Sequence, residues 1–167
     1  MKYETNLRNK NRGYMNLIVW QKAMDLFELA WRTSYVESNI DFKLRSQFVN
    51  AAQSVSANLA EGYGRRSVNE YIQFLYIPLG SLAETLTRAI GLQRATQLSE
   101  GRFEEINRLH YEVENRLLRL VEKLEEKRDV GDWTARVAET DEEDADVLLF
   151  LQHSSTPTLH HSIVPDA

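Results

Sequence analysis

Apolar residues recur every three or four positions through Leu44, Phe48, Ala51 or Ala52, Val55 and Leu59, and the same spacing resumes at Val68. Between the two runs lies Asn58-Leu59-Ala60-Glu61-Gly62-Tyr63-Gly64-Arg65-Arg66-Ser67. A repeat of that period is one face of an α-helix, so two such faces joined by a short polar bend fold back to hide each other. Gly62 and Gly64 are expected to end the first of these helices at positive φ, where glycine meets no Cβ penalty. Ser67 opens Ser-Val-Asn-Glu, so its hydroxyl and the Glu70 carboxylate each satisfy a free amide of the next first turn. Two arginines, Arg65 and Arg66, sit at the bend.

The same reasoning supplies the other helices. One is expected over residues 17–34, with Trp20, Met24, Phe27 and Trp31 on one face and Ala23 and Ala30 beside them. Leu26 and Leu29 fall off that stripe, and this second apolar strip reads as a partner surface. Half-exposure of single residues is the plainer alternative. After a loop over residues 35–40, Asp41 caps the second helix, which runs to about Glu61 and is dense in small residues. That density suits close helix approach, inside one bundle or between copies.

The third helix is expected from Ser67 to about Gln97, on a seam of Val68, Tyr71 or Ile72, Leu75, Leu79, Leu82, Leu86 and Ala89 or Ile90. Pro78 inside it removes one donor and crowds the Phe74 carbonyl, so a bend is expected there. Ser99 caps the fourth. It has the most regular seam in the chain, with Phe103, Ile106, His110, Val113, Leu117, Leu120 and Leu124 alternating by three and four. The fold class is therefore all-α, an antiparallel up-down four-helix bundle over residues 17–128. A basic N-terminal arm, residues 1–16, precedes it. A largely disordered acidic tail, residues 129–167, follows, with a short apolar block at Val147, Leu148, Leu149, Phe150 and Leu151.

The formal net charge of −5 is unevenly spread. Residues 129–167 hold nine acidic residues and one basic, a net of −8, leaving residues 1–128 at +3. Such asymmetry points to interaction segments at the ends, against the plainer reading of solvated termini. With no cysteine there is no disulfide, thiolate metal site or cysteine nucleophile. The basic, polar start lacks the apolar run of a signal peptide, and no stretch is apolar for long enough to span a bilayer, so the expected place is the cytoplasm.

Catalytic signatures are missing. Glu-Gly-Tyr-Gly-Arg-Arg lacks the spacing and the lysine of a phosphate loop, no serine sits in a nucleophile elbow, and no Glu-x-x-His pair exists for a di-metal bundle. His110 lies on a seam, where a satisfied interior histidine is the ordinary outcome, and Glu61 and Glu84 are ordinary helix carboxylates. No catalytic residue, metal, cofactor or small-molecule substrate is assigned. The candidate nucleic-acid contact is Tyr63, Arg65 and Arg66, two guanidiniums and a ring at a helix start that suit phosphate and base stacking. The alternative is that Arg65 and Arg66 pair with Glu61 and Glu70. The candidate partner contacts are Leu26 and Leu29 and the tail block, residues 147–151.

Several stretches carry a resemblance: Val19-Trp20-Gln21-Lys22-Ala23, the run from Gln47 through Asn58-Leu59-Ala60-Glu61-Gly62-Tyr63-Gly64-Arg65, then Glu70-Tyr71-Ile72-Gln73-Phe74-Leu75-Tyr76, and Gly80-Ser81-Leu82-Ala83-Glu84. They resemble the bacterial four-helix-bundle family that includes proteins encoded in intervening sequences of large-subunit ribosomal RNA genes. The resemblance covers roughly residues 17–126 and places Asn58, Glu61, Gly62, Gly64, Arg65, Glu70, Gly80 and Glu84 at characteristic positions. Pro78 departs from it, and the acidic tail lies outside it. The resemblance implies an up-down bundle, ring-shaped homopentamers and no established enzymatic activity. Related bundles serve as accessory proteins of diversity-generating retroelements, which bind reverse transcriptase and nucleic acid.

The functional expectation is a non-enzymatic, self-associating scaffold that meets RNA, a ribonucleoprotein or a protein partner. One alternative is an accessory subunit of a reverse transcriptase that holds template RNA. A further one is a protein-only adaptor acting through the acidic tail.

Overall fold

The computed structural model describes residues 10–37, 40–65 and 67–130. A 3-10 helix, Lys10–Asn16, leads into α1 (Ile18–Arg32), a π-helical turn (Thr33–Glu37), α2 (Phe42–Tyr63), α3 (Val68–Arg94) and α4 (Glu100–Val130). Each long helix packs on the next, and α4 closes against α1, as an up-down bundle requires. The apolar part of the tail and most of its acids lie outside the described residues.

The ends follow the chain's own chemistry. Asp41 accepts from the Lys43 and Leu44 amides and fixes the start of α2. Ser67 and Glu70 form the reciprocal capping box at the start of α3. Pro78 is buried within α3, which runs on as one element to Arg94, three residues short of the expected end. That helix closes with the Gln97 amide on the Leu92 carbonyl and the Thr96 amide on Gln93. Thr96, at φ 57°, takes the left-handed place that glycine usually fills.

The glycines at the α2–α3 bend work differently from the sequence expectation. Gly64 sits at φ −78°, so it does not end α2 by a left-handed turn. Gly62 is inside the last turn of α2, where an added Cβ would come to 3.1 Å from Phe74 Cδ1 and 3.4 Å from Tyr71 Cδ2. It is small because two rings of α3 press on it, and α2 extends to Tyr63 rather than stopping at Glu61.

On α4 the expected seam faces inward: Ile106, His110, Val113, Leu117, Leu120 and Leu124 are all buried, with Phe103 packed at the margin. His110 is a satisfied interior side chain, its Nε2 lying 2.8 Å from the Leu82 carbonyl oxygen of α3. On α2 the seam holds from Phe48 to Leu59, whereas Leu44, in the first turn, is exposed.

On α1 the stripe is rotated from the expected one. Leu26 and Leu29 are buried with Val19, Ala23 and Ala30, so neither is a partner contact. Met24 and Phe27 are only partly buried, and Trp31 is 48% exposed. Aliphatic and small side chains fill the narrow space between neighbouring helices at native density more readily than an indole. The aromatic stripe is left on the flank.

The second half of the expected N-terminal arm is part of the fold. The 3-10 helix packs on α1 and α2. Gly13 is buried there with no room for a side chain, since a Cβ at that position would press into the Tyr63 ring, at 2.7 Å from Cζ. Tyr14 meets the edges of Trp20 (centroids 5.3 Å apart) and Tyr63 (6.4 Å), which explains why Trp20 is covered while the rest of its stripe is not.

Candidate interaction surface

The family-type positions on α2 and α3 do not converge on one site. They form a ladder along the contact between the two helices. Asn58 Nδ2 donates to Ser81 Oγ at 3.4 Å. Arg88 holds Glu84 through Nε at 2.9 Å and reaches across to Gln47 Oε1 at 2.8 Å. Arg65 pairs with Glu61 at 2.6 Å and lies 4.1 Å over the Phe74 ring. Gly80 lies open, with nothing for a Cβ to meet. Asn58–Ser81, Arg88–Gln47 and Arg65–Phe74 tie the two helices together, while the carboxylates Glu61 and Glu84 pair with arginines four residues on in their own segments.

Of the three candidate nucleic-acid residues, Tyr63 is removed by burial. Its ring is enclosed by Tyr14 and Tyr71, with centroids 6.2 Å apart for the latter pair, and cannot offer a face to a base. Arg65 stays at the surface but is engaged as just described. Arg66 lies outside the described residues, as do residues 147–151.

Burial also pushes the Tyr63 hydroxyl up from 10.0 to about 12. Between those values the folded chain keeps a proton that the unfolded chain gives up. The stabilisation is complete below pH 10 and is lost as pH climbs towards 12. Urea unfolding at stepped alkaline pH should show that loss, and Tyr63→Phe should flatten this part of the profile while other tyrosines continue to titrate.

The surface that the sequence did not single out lies where α1 turns into α2. Phe27, Trp31 and Tyr35 stack along the flank of α1, Phe27 to Trp31 at 6.3 Å and Trp31 to Tyr35 at 4.4 Å with the latter rings nearly parallel. The π-helical turn makes this contact by carrying helix-like spacing past Arg32, so Tyr35 falls beneath Trp31. The Arg45 guanidinium of α2 lies 4.8 Å over Tyr35 and 5.3 Å over Phe42. Val36 and Phe42, 71% and 70% exposed, extend the patch. Among the described residues Arg45 has no carboxylate partner, and its Nε is buried without a hydrogen bond. Thr33 Oγ1 and Ser34 Oγ, beneath the same turn, are likewise buried and unpaired. The residues at 27, 31 and 35 already stand at a four-residue spacing in sequence. That was the available signal, hidden by reading 35–40 as a loop.

A second apolar strip lies on α4, where Tyr111 (64% exposed) and Leu118 (48%) face out. Glu114 and Glu122 keep helical spacing with them, so carboxylates accompany the apolar side chains on that face. Between α1 and α4 a groove of about 650 Å³ is lined by four arginines and four carboxylates, with Glu112 shared by Lys22 (3.4 Å) and Arg116 (3.2 Å). Equal numbers of the two signs leave it no strong field for an anion.

Among the described residues no group of three His, Cys, Asp or Glu side chains is arranged to hold a metal ion, and no helix is long and apolar enough to cross a membrane. What the arrangement offers is two exposed surfaces of different chemistry on a bundle with an aliphatic core: an aromatic corner that carries Arg45, and an apolar strip on α4 interspersed with carboxylates and bordered by the arginines of the groove.

A search of curated proteins finds no match to the sequence. The family described as 23S rRNA-intervening sequence protein matches residues 15–119, which takes in α1, α2, α3 and most of α4. The matched region ends before the acidic tail and includes both the ladder between α2 and α3 and the aromatic corner. A match over that much of the chain places it in a family: this protein is a member of the 23S rRNA-intervening sequence protein family.

Proposed function

We propose that the chain is a non-enzymatic scaffold that assembles with copies of itself into a closed ring, a homopentamer as the family resemblance implies, and presents that ring to a ribonucleoprotein or protein partner. The observation that carries this is the pair of unlike exposed surfaces. A ring needs a heterologous contact, one patch on each copy meeting a different patch on the next. The Trp31–Tyr35–Phe42 corner with its uncompensated Arg45 complements Tyr111 and Leu118 with Glu114 and Glu122. A symmetric contact of corner on corner would set Arg45 against Arg45, which like charges oppose.

Sedimentation of the full chain at micromolar concentration tests the reading. The expected result is one species at a multiple of the 19.4 kDa chain mass. A stable monomer under those conditions contradicts it.

A nucleic-acid role is the second reading, including that of an accessory subunit holding RNA for a reverse transcriptase. It is favoured by Arg65 at the exposed bend, which a ring would repeat as a basic rim. Its mark is RNA binding that weakens with salt and falls in Arg65→Ala.

A further inference from the structure

The aromatic corner lacks two things that any occupant must supply: apolar cover for Trp31, Val36 and Phe42, and an anion for Arg45. A guanidinium held between two rings with a buried, unpaired Nε is a desolvated charge, and such a charge is stabilised by a carboxylate brought to its open edge. The chain itself contains a segment of that composition outside the described residues. Asp144 and Asp146 run directly into Val147-Leu148-Leu149-Phe150-Leu151. This is the chemistry of the α4 strip in linear form, apolar side chains led by acids.

Reach permits the contact within one chain. The Asp41 amide donates to Gln97 Oε1 at 2.9 Å, so the corner lies at the end of the bundle where α3 gives way to α4. Val130 is at the far end, 31 residues down α4, or about 46 Å at the helical rise. Sixteen residues, 131–146, link it to Val147, and an extended chain of that length covers about 55 Å. The tether spans the bundle with little slack, and its run of like charges favours extension.

We propose that residues 144–151 dock on the α1–α2 corner of their own chain, with residues 147–151 covering Trp31 and Phe42 and the Asp146 carboxylate facing Arg45. The docked segment occupies the surface that the neighbouring copy would use, so it acts as a tethered competitor of assembly. The competition rests on the ring proposed above; the docking does not, and the two are read by separate measurements.

The test uses the full chain carrying a photo-cross-linking phenylalanine analogue in place of Phe150. Irradiation is expected to give adducts on the peptides that hold Trp31, Tyr35 and Phe42, in a yield that does not fall on dilution. Arg45→Glu should cut that yield about tenfold, the loss of a charge-assisted contact, and Arg45→Glu with Asp146→Arg should restore it. Helicity measured alongside shows that each variant is folded, and an Asp146→Arg single variant, which leaves the bundle untouched, should lose the adduct by itself. Adducts elsewhere on the bundle, adducts formed only between chains, or a yield indifferent to both charge reversals would overturn the docking. Failure of the ring alone would appear in the sedimented mass and leave the adduct pattern as it is.

Discussion

Leu26→Ala should lower the unfolding free energy by about 2–5 kcal/mol, the range for emptying an enclosed aliphatic site. For a chain of this length that corresponds to a fall in melting temperature of roughly 5–15 °C. The side chain has no exposed surface and belongs to the core with Ala23, Leu29 and Ala30. Its removal leaves a hole that flanking helices can close only in part. Trp31→Ala, on a residue of larger volume, should cost less, about 1 kcal/mol, because half of the indole already faces solvent and the main loss is its stacking on Tyr35. Thermal melts of the two variants against the parent check this directly. The opposite order, with Trp31 the costly residue, would mean that the aromatic stripe is the buried one.

That contrast marks where the sequence stops being sufficient. The seam of α4 was legible because apolar spacing of three and four is sustained from Phe103 to Leu124, and the exposed Tyr111 and Leu118 are too few to make a competing stripe. The caps at Asp41 and Ser67 were legible because the donors they satisfy are fixed by the helix itself. On α1 apolar residues occupy two adjacent stripes, and periodicity cannot choose between them. Packing does, in favour of the side chains that fit between two neighbours. Gly62 was recognised as special, but its reason lies in Tyr71 and Phe74 on the following helix, and contacts between elements leave no local mark. The pressure of Gly13 on Tyr63, fifty residues away in sequence, was out of reach for the same cause, and with it the burial that disqualifies Tyr63 as a stacking platform. Arg65 was placed at the surface as expected, and the plainer of the two roles weighed for it, pairing with Glu61, is the one seen. The rotated stripe on α1 also moves the candidate partner surface from Leu26 and Leu29 to the aromatic ladder that runs from Phe27 to Phe42.

The second large effect follows from that move. Trp31→Ser combined with Phe42→Ser should weaken self-association by about 100-fold or more, since aromatic anchors of an interface are each worth about 2 kcal/mol or more when truncated. Neither residue belongs to the core, so the helices and their caps should persist. Arg45 would lose one of its two ring contacts and keep Tyr35, so the corner would be altered without being emptied. A loss of association that came only with a loss of helicity would assign the effect to folding, and the circular dichroism of the double variant separates the two. Leu26→Ala supplies the converse control: destabilised, yet with its corner intact, it should still associate at temperatures where it remains folded.

In the proposed ring the labour of α1 is divided, aliphatic side chains filling the bundle's interior and aromatic ones meeting another copy. Light scattering of the Trp31→Ser/Phe42→Ser chain beside the unaltered one tests that division most directly. The expected result is an assembled mass for the unaltered chain and 19.4 kDa for the double variant, at equal helicity. An assembled mass that the two substitutions leave unchanged would contradict it.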